Sequence, residues 1–288
     1  MEKDSEGIGK LNAFDAAAES PHNLRPMIQE KTTVLEHICY QGEYRMLTFA
    51  APGIGPKARP GKFIHLRVPR LEQCVLRRPF SIFKADAGSV SILYKSVGKG
   101  TQAMMDIQPG EEVNLLGPLG TGFPAPVKDT TAVALVGGGY GSAALYLQAV
   151  ASPVKGTVFI GGRSAGDILC IKEFKALGWD VVITTDDGSC GRQGLVTQAL
   201  DEWLHKRAGN LSAVEVFACG PNGMLEAIGT RAVAQKFTAW LSMDRNMACG
   251  TGACLTCVIK RKKKTGGWEW VRCCKEGPVF NAEEIYWD

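Results

Sequence analysis

The chain has 288 residues, 45% of them hydrophobic and 22% charged, the make-up of a soluble globular protein with room for about two domains of about 150 residues and a small appended module. A formal net charge of +4 is too small to point to nucleic acid, and none is expected as a partner. The opening run MEKDSEGIGK has no apolar signal segment, and the ten cysteines follow no small-domain disulfide pattern, so a reducing, cytoplasmic setting is expected.

Residues 1–27 are polar and Ala-rich, with Pro21 and Pro26 but no strand pattern, and read as a mobile leader. From residue 28 to 126, short β-branched or alternating runs at 32–38, 44–50, 62–68, 80–84, 90–96 and 112–116 are punctuated by Pro, Gly and Asp. That texture predicts an antiparallel β-barrel. Inside it, RRPFSIF sets Arg78, Pro79, Phe80 and Ser81 in line: a guanidinium can clamp a pyrophosphate while backbone and hydroxyl groups meet a flavin ring. LYKSVGKGT follows, and its Gly98, Gly100 and Thr101 lead into the first turn of a helix expected at 101–107, where free amides suit phosphate oxygens. Taken singly, the two elements also fit an edge strand with a surface arginine and a threonine-capped turn.

After Pro126 the pattern changes. Apolar strands at 131–136, 157–160, 180–184 and 213–218 alternate with helical stretches at 195–207 and 223–234, which predicts an α/β domain with a parallel sheet over 127–238. Residues 130–154 are mostly apolar, but Gly137, Gly138, Gly139 and Gly141 sit at their centre. Strand, glycine turn and helix are therefore expected there, and no membrane span. The run GGGYGSAAL lets backbone approach a dinucleotide pyrophosphate, though it departs from G-x-G-x-x-G. Its glycines are spaced two apart, Ser142 stands where the third would fall, and GGRS at 161–164 takes the place of an acidic residue. Further on, TTDDGSCG, containing Asp187, and FACGPNGML, containing Cys219, Gly220 and Pro221, each place turn-forming residues just after a strand, at the ligand edge of an open parallel sheet.

A run at 237–242 leads into the last module, 239–288. Cys249, Cys254 and Cys257 crowd one loop at C-x4-C-x2-C spacing, and a fourth thiol arrives alone at Cys273 or Cys274. This is the thiolate pattern of a plant-type [2Fe-2S] cluster, whereas structural zinc sites usually pair their cysteines as two short knuckles. Gly250 and Gly252 allow the loop to wrap an inorganic core with its amides toward sulfur. Neighbouring side chains of an extended segment point opposite ways, so only one of Cys273 and Cys274 faces the cluster. The basic run 260–264 reads as a solvated hairpin tip. His22, His37, His65 and His205 fall in no shared motif.

In this order RPFS, GKGT, GGGxG, TDDGS, ACGPxxML, MACGxGAC and CKEGPVF resemble the electron transfer subunit of class 1B, NAD-dependent dihydroorotate dehydrogenase, in the ferredoxin reductase-like superfamily. The resemblance runs from about residue 28 to the end, and its most specific parts are the cluster loop and CKEGPVF at 274–280. It implies FAD in the barrel, contacted by Arg78, Pro79, Phe80 and Ser81, by Leu93, Tyr94 and Lys95, and by Gly100 and Thr101. It implies NAD at the parallel sheet, and it selects Cys274 as the fourth ligand beside Cys249, Cys254 and Cys257. The implied partner is an FMN-containing catalytic subunit that oxidises dihydroorotate in pyrimidine biosynthesis, assembled with this chain as a two-plus-two heterotetramer. Tyr140 and Ala144 depart from the family, which has an aliphatic residue and a proline there. Two other readings are a reductase of the NAD(P)H-ferredoxin or oxygenase type, with Arg163 and Ser164 suited to a 2′-phosphate, and a zinc-stabilised binding module.

Overall fold

The computed structural model describes residues 27–71 and 76–287. All but the last residue of the expected leader lies outside them. The first sheet comprises β1 (Ile28–Gln41), β2 (Tyr44–Ala50), β3 (Phe63–Arg67), β4 (Arg78–Ser81), β5 (Lys84–Ala85), β6 (Ser89–Lys95) and β7 (Glu112–Leu119), in the order β4-β3-β7-β1-β2-β6-β5. Every pairing in it is antiparallel. β1 serves two neighbours in turn: residues 28–33 pair with β7, and the rest pair with β2, with a register shift between Val34 and Glu36. An extra residue at such a shift bends a strand and increases its twist. The two ends of the strand order are consecutive in the chain, since β4 runs into β5 through the fully buried Ile82 and Phe83.

The helix after GKG starts earlier than the sequence predicts and is shorter. α1 spans Lys99–Ala103, with Gly98 as its N-cap, and a single 3-10 turn follows at Met104–Asp106. The Thr101 hydroxyl accepts the Val97 and Gly98 amides at 2.8 and 3.1 Å, so threonine closes the first turn from inside it.

The second sheet takes β8 (Ala132–Gly138), β9 (Thr157–Gly162), β10 (Asp180–Thr185), β11 (Arg192–Gln193), β12 (Val214–Cys219) and β13 (Thr238–Ser242). These are parallel throughout. The apolar stretch at 130–154 becomes β8, a glycine turn, α2 (Gly141–Ala144) and α3 (Tyr146–Ala151). Alternate residues of β8 enter opposite cores. Val133 and Leu135 share one core with Leu145, with Ala149 of α3 and with Phe174 of α4 (Ile171–Ala176). Ala134 and Val136 share the other with Leu200 of α5 (Val196–His205) and Leu225 of α6 (Asn222–Gln235). Truncating a fully buried leucine such as Leu200 to alanine would cost about 2–5 kcal/mol. Among the described residues no helix is long and apolar enough to cross a membrane.

The C-terminal segment forms a hairpin, β14 (Val258–Lys262) with β15 (Trp268–Arg272), and then β16 (Val279–Asn281). β16 adds an antiparallel edge to the parallel sheet, pairing with β13 to give β11-β10-β9-β8-β12-β13-β16. Cys257, Ile259, Val271, Cys273, Cys274 and Phe280 belong to the same core as α5 and α6. The segment is also zipped to the first sheet just past β7, where the Thr121 amide donates to the Gly277 carbonyl at 2.5 Å and the Val279 amide to the Thr121 carbonyl at 3.4 Å.

Candidate functional site

Three sets of residues predicted from the sequence meet around the junction of these sheets. On β4, Arg78, Pro79 and Phe80 are half-buried and Ser81 is exposed. The Arg78 Nη1 donates to the Leu76 carbonyl at 2.6 Å, and its guanidinium lies across Gly100: a Cβ built on Gly100 would fall 2.5 Å from Arg78 Nε. RPFS and GKGT thus converge on one spot, side chain from the first and backbone from the second.

Phe80 and Tyr94 meet edge to face at 6.2 Å between ring centroids, and the Tyr94 hydroxyl bonds His37 Nε2 at 2.9 Å. Leu93 and Tyr94 are buried in β6, while Lys95 pairs with Glu43 at 2.6 Å at the rim of a cleft. This cleft, about 660 Å³, runs between the two sheets and is lined by Tyr44, Lys95, Gly138, Gly139, Tyr140 and Arg163 among others.

The cleft opens where the strand order reverses. β8 lies between β9 and β12, and the chain passes from β8 to β9 on one side and from β12 to β13 on the other, the place where open parallel sheets take their ligands. The two loops there touch. A Cβ on Gly141 would fall 2.1 Å from the Cys219 carbonyl oxygen, and one on Gly138 would fall 2.6 Å from Pro221 Cδ. Gly138, Gly139, Gly220 and Pro221 line the cleft, but Gly137, Gly141 and Cys219 are not among its lining residues; they are buried. Burial, and then Asp244, pushes the Cys219 thiol up to about 12. Asp187 also stands off the cleft, its carboxylate accepting the Ser189 amide and hydroxyl at 2.9 and 2.6 Å, while Asp186 lines it.

The cysteine loop bends at Gly250 and Gly252, with φ of 70° and 84°. Its amides point at sulfur: those of Thr251 and Cys254 donate to Cys249 Sγ, and that of Cys274 to Cys257 Sγ, each at 3.4 Å. Burial raises the Cys249 thiol, but the Cys254 and Thr251 bonds outweigh it and bring it down to about 6. Burial, and then the Cys257 thiol, holds Cys274 up at about 12, so a metal would have to displace that proton on binding. Arg272 braces the loop from behind, donating to the Gly252 carbonyl at 2.8 Å while paired with Glu276. Cys273 and Cys274 are both buried, and of the two only the Cys274 amide bonds a sulfur of the cysteine loop, that of Cys257. Among the described residues no three His, Cys, Asp or Glu side chains converge as a single ion would require. Amide-bonded thiols at Cys249 and Cys257, each beside a second cysteine, fit a two-iron cluster whose irons take two thiolates apiece.

His65 belongs to no motif that would single it out. It lies mid-strand on β3, opposite Pro79 of β4, and is fully buried with its ring against Gly250: a Cβ there would fall 2.4 Å from His65 Cε1 and 2.5 Å from Nε2. Neither ring nitrogen has a hydrogen-bond partner. Burial, and then Arg77, pushes its pKa down to about 4. Tyr44 is equally silent in the sequence, being a single residue outside any motif. Tyr44 donates to Asp167 at 2.9 Å, and Tyr140 donates to Asp244 at 2.7 Å across the cleft.

Residues 244–286 match the iron-sulfur cluster binding domain of dihydroorotate dehydrogenase B. The electron transfer subunit of NAD(+)-dependent dihydroorotate dehydrogenase B from Desulforamulus reducens is 36% identical, the match covering 84% of this chain and 92% of that one. The corresponding subunit of Enterococcus faecalis strain V583 is 40% identical over 79% of this chain and 86% of its own. Among solved structures, NADH-dependent reduced ferredoxin-NADP oxidoreductase superposes with a TM-score of 0.76 at 26% identity, covering 89% of this chain and 90% of that chain. The ferredoxin reductase in carbazole 1,9a-dioxygenase shares the fold, with a TM-score of 0.62 at 19% identity over 75% of this chain and 68% of that one.

Proposed function

The chain belongs to the family of electron transfer subunits of NAD-dependent dihydroorotate dehydrogenase B, and from that premise we propose that its residues carry electrons from an FMN-containing, dihydroorotate-oxidising catalytic subunit to NAD. The observation that carries this reading is the cysteine loop, with three thiols on a glycine-bent turn and a fourth on CKEGPVF. When bound, the cluster passes electrons singly and FAD converts them into the pair that NAD takes up. Cys249, Cys254, Cys257 and Cys274 hold the cluster. Arg78, Gly100 and Thr101 would take the FAD pyrophosphate, and Pro79, Phe80, Ser81, Leu93, Tyr94 and Lys95 would supply its other contacts. Gly138, Gly139, Gly220 and Pro221 admit NAD to the cleft.

This divides the chain into a flavin barrel at 28–126, a nucleotide domain at 127–238 and a cluster module at 239–288, whose strands β13 and β16 complete the nucleotide domain's sheet. The exposed Leu255, between two of the ligands, supports an entry face for electrons at the cluster loop, where the catalytic subunit would dock in a cytoplasmic two-plus-two complex. The test is dihydroorotate-dependent NAD reduction by anaerobically purified protein with and without that catalytic subunit. Activity only in the mixture is expected. Intact flavin and cluster spectra with rapid NADH oxidation by artificial acceptors, but no activity in the mixture, would move the assignment to a reductase for another acceptor.

A further inference from the structure

His65 presents two buried ring nitrogens without partners. A buried polar group left unsatisfied costs about 1–3 kcal/mol, and native proteins rarely leave one so. The ring is not lodged in an indifferent part of the core. It stands on β3 beside Pro79 of the flavin motif, 5.7 Å from the Phe63 ring, with its other side against Gly250, the residue next to Cys249. Gly250 has a positive φ, and any Cβ there would strike the imidazole, so the glycine is needed for the approach of the ring as well as for the bend. The remaining histidines are placed otherwise: His37 bonds Ile107 and Tyr94, His205 lies on α5, and His22 is outside the described residues.

We propose that His65 donates a hydrogen bond from the flavin-binding sheet to a sulfur of the [2Fe-2S] centre and thereby sets its reduction potential. The inference rests on the cluster reading of the four cysteines. A neutral imidazole carries one N–H, and a donor to sulfur stabilises the reduced, more negative centre, raising its potential. Because the same side chain faces Pro79, the residue that tunes the cluster is anchored to the strand proposed to hold the flavin.

The test uses the full chain labelled with ring-15N histidine and reduced anaerobically. Hyperfine spectroscopy of the reduced cluster should show a 15N coupling that persists in His37→Phe and disappears in His65→Phe. Redox titration should show the potential of His65→Phe lowered, the ratio of oxidised to reduced cluster at the wild-type midpoint rising about tenfold, which is about 59 mV for one electron. His65→Asn, which keeps a donor, should recover part of the shift. If His65→Phe does not assemble, the wild-type coupling and the His65→Asn potential carry the test. Absence of a histidine coupling, or potentials unchanged in the variants, overturns the proposal while leaving the cluster in place. A wild-type chain with no iron-sulfur signal would overturn both this proposal and the reading it rests on.

Discussion

The Arg78 guanidinium lies across the backbone of Gly100, so close that a Cβ at residue 100 would sit 2.5 Å from Nε. Two motifs that each admit a bland reading alone become one cradle when they meet. In Gly100→Ala the arginine must swing aside, which its flexible side chain allows, so the fold should lose little stability while FAD affinity falls about tenfold, or about 1.4 kcal/mol. Arg78→Ala should weaken FAD to a similar degree, and the double variant should be little worse than either, because both remove one interaction. Flavin release followed by fluorescence checks this, with cluster absorbance unchanged throughout. Additive losses would mean that Arg78 and Gly100 act separately.

The adjacent cysteines give a second contrast. Cys274→Ser should bleach the cluster and leave FAD bound, as should Cys254→Ser. Cys273→Ser should keep the cluster spectrum but lower stability by about 1–3 kcal/mol, since Cys273 is fully buried and a serine hydroxyl there would need a partner. Visible absorption and thermal melts of the three variants decide it. Retained absorption in Cys274→Ser would assign the fourth ligand to Cys273.

At the cleft proposed to admit NAD, two glycines should behave differently. A Cβ on Gly141 would meet the Cys219 carbonyl oxygen at 2.1 Å, a backbone atom that cannot turn away, whereas one on Gly139 meets nothing closer than the Tyr44 hydroxyl at 3.9 Å. Gly141→Ala should separate the two loops, raising KM for NADH and lowering Tm together. Gly139→Ala should cost only about 1–2 kcal/mol for its left-handed backbone. Steady-state NADH oxidation with an artificial acceptor, beside melting curves, measures both.

Much of this is legible in the sequence because its signals are local. Glycine clusters after apolar runs mark the ends of β8 and β12, and cysteine spacing marks the cluster loop. What is not legible depends on contacts between distant segments. β16 cannot be placed as an edge of the parallel sheet from its three residues, and the register shift in β1 leaves no composition signal. His65 carries no motif, since its meaning comes from Gly250, 185 positions along the chain. Asp187 is marked by its turn sequence, yet its carboxylate is committed to Ser189 and its neighbour Asp186 lines the cleft.

Tyr140 and Asp244 join the glycine turn to the residue at which the cluster-domain match begins. The Tyr140 hydroxyl donates to the Asp244 carboxylate at 2.7 Å, and both residues line the cleft. On the nucleotide site proposed above, the bond ties down a carboxylate that would otherwise repel the phosphates of an incoming dinucleotide. A hydrogen bond to a charged group is worth about 1.5–3 kcal/mol, less where solvent reaches it as it does here. Tyr140→Phe removes only the hydroxyl, so FAD and cluster spectra should be unchanged while KM for NADH rises several-fold. Replacing the carboxylate as well, in Tyr140→Phe with Asp244→Asn, should restore KM, because the repulsion goes with the charge. A KM that stays high in the double variant would show that the tyrosine acts on the nucleotide directly and not through Asp244.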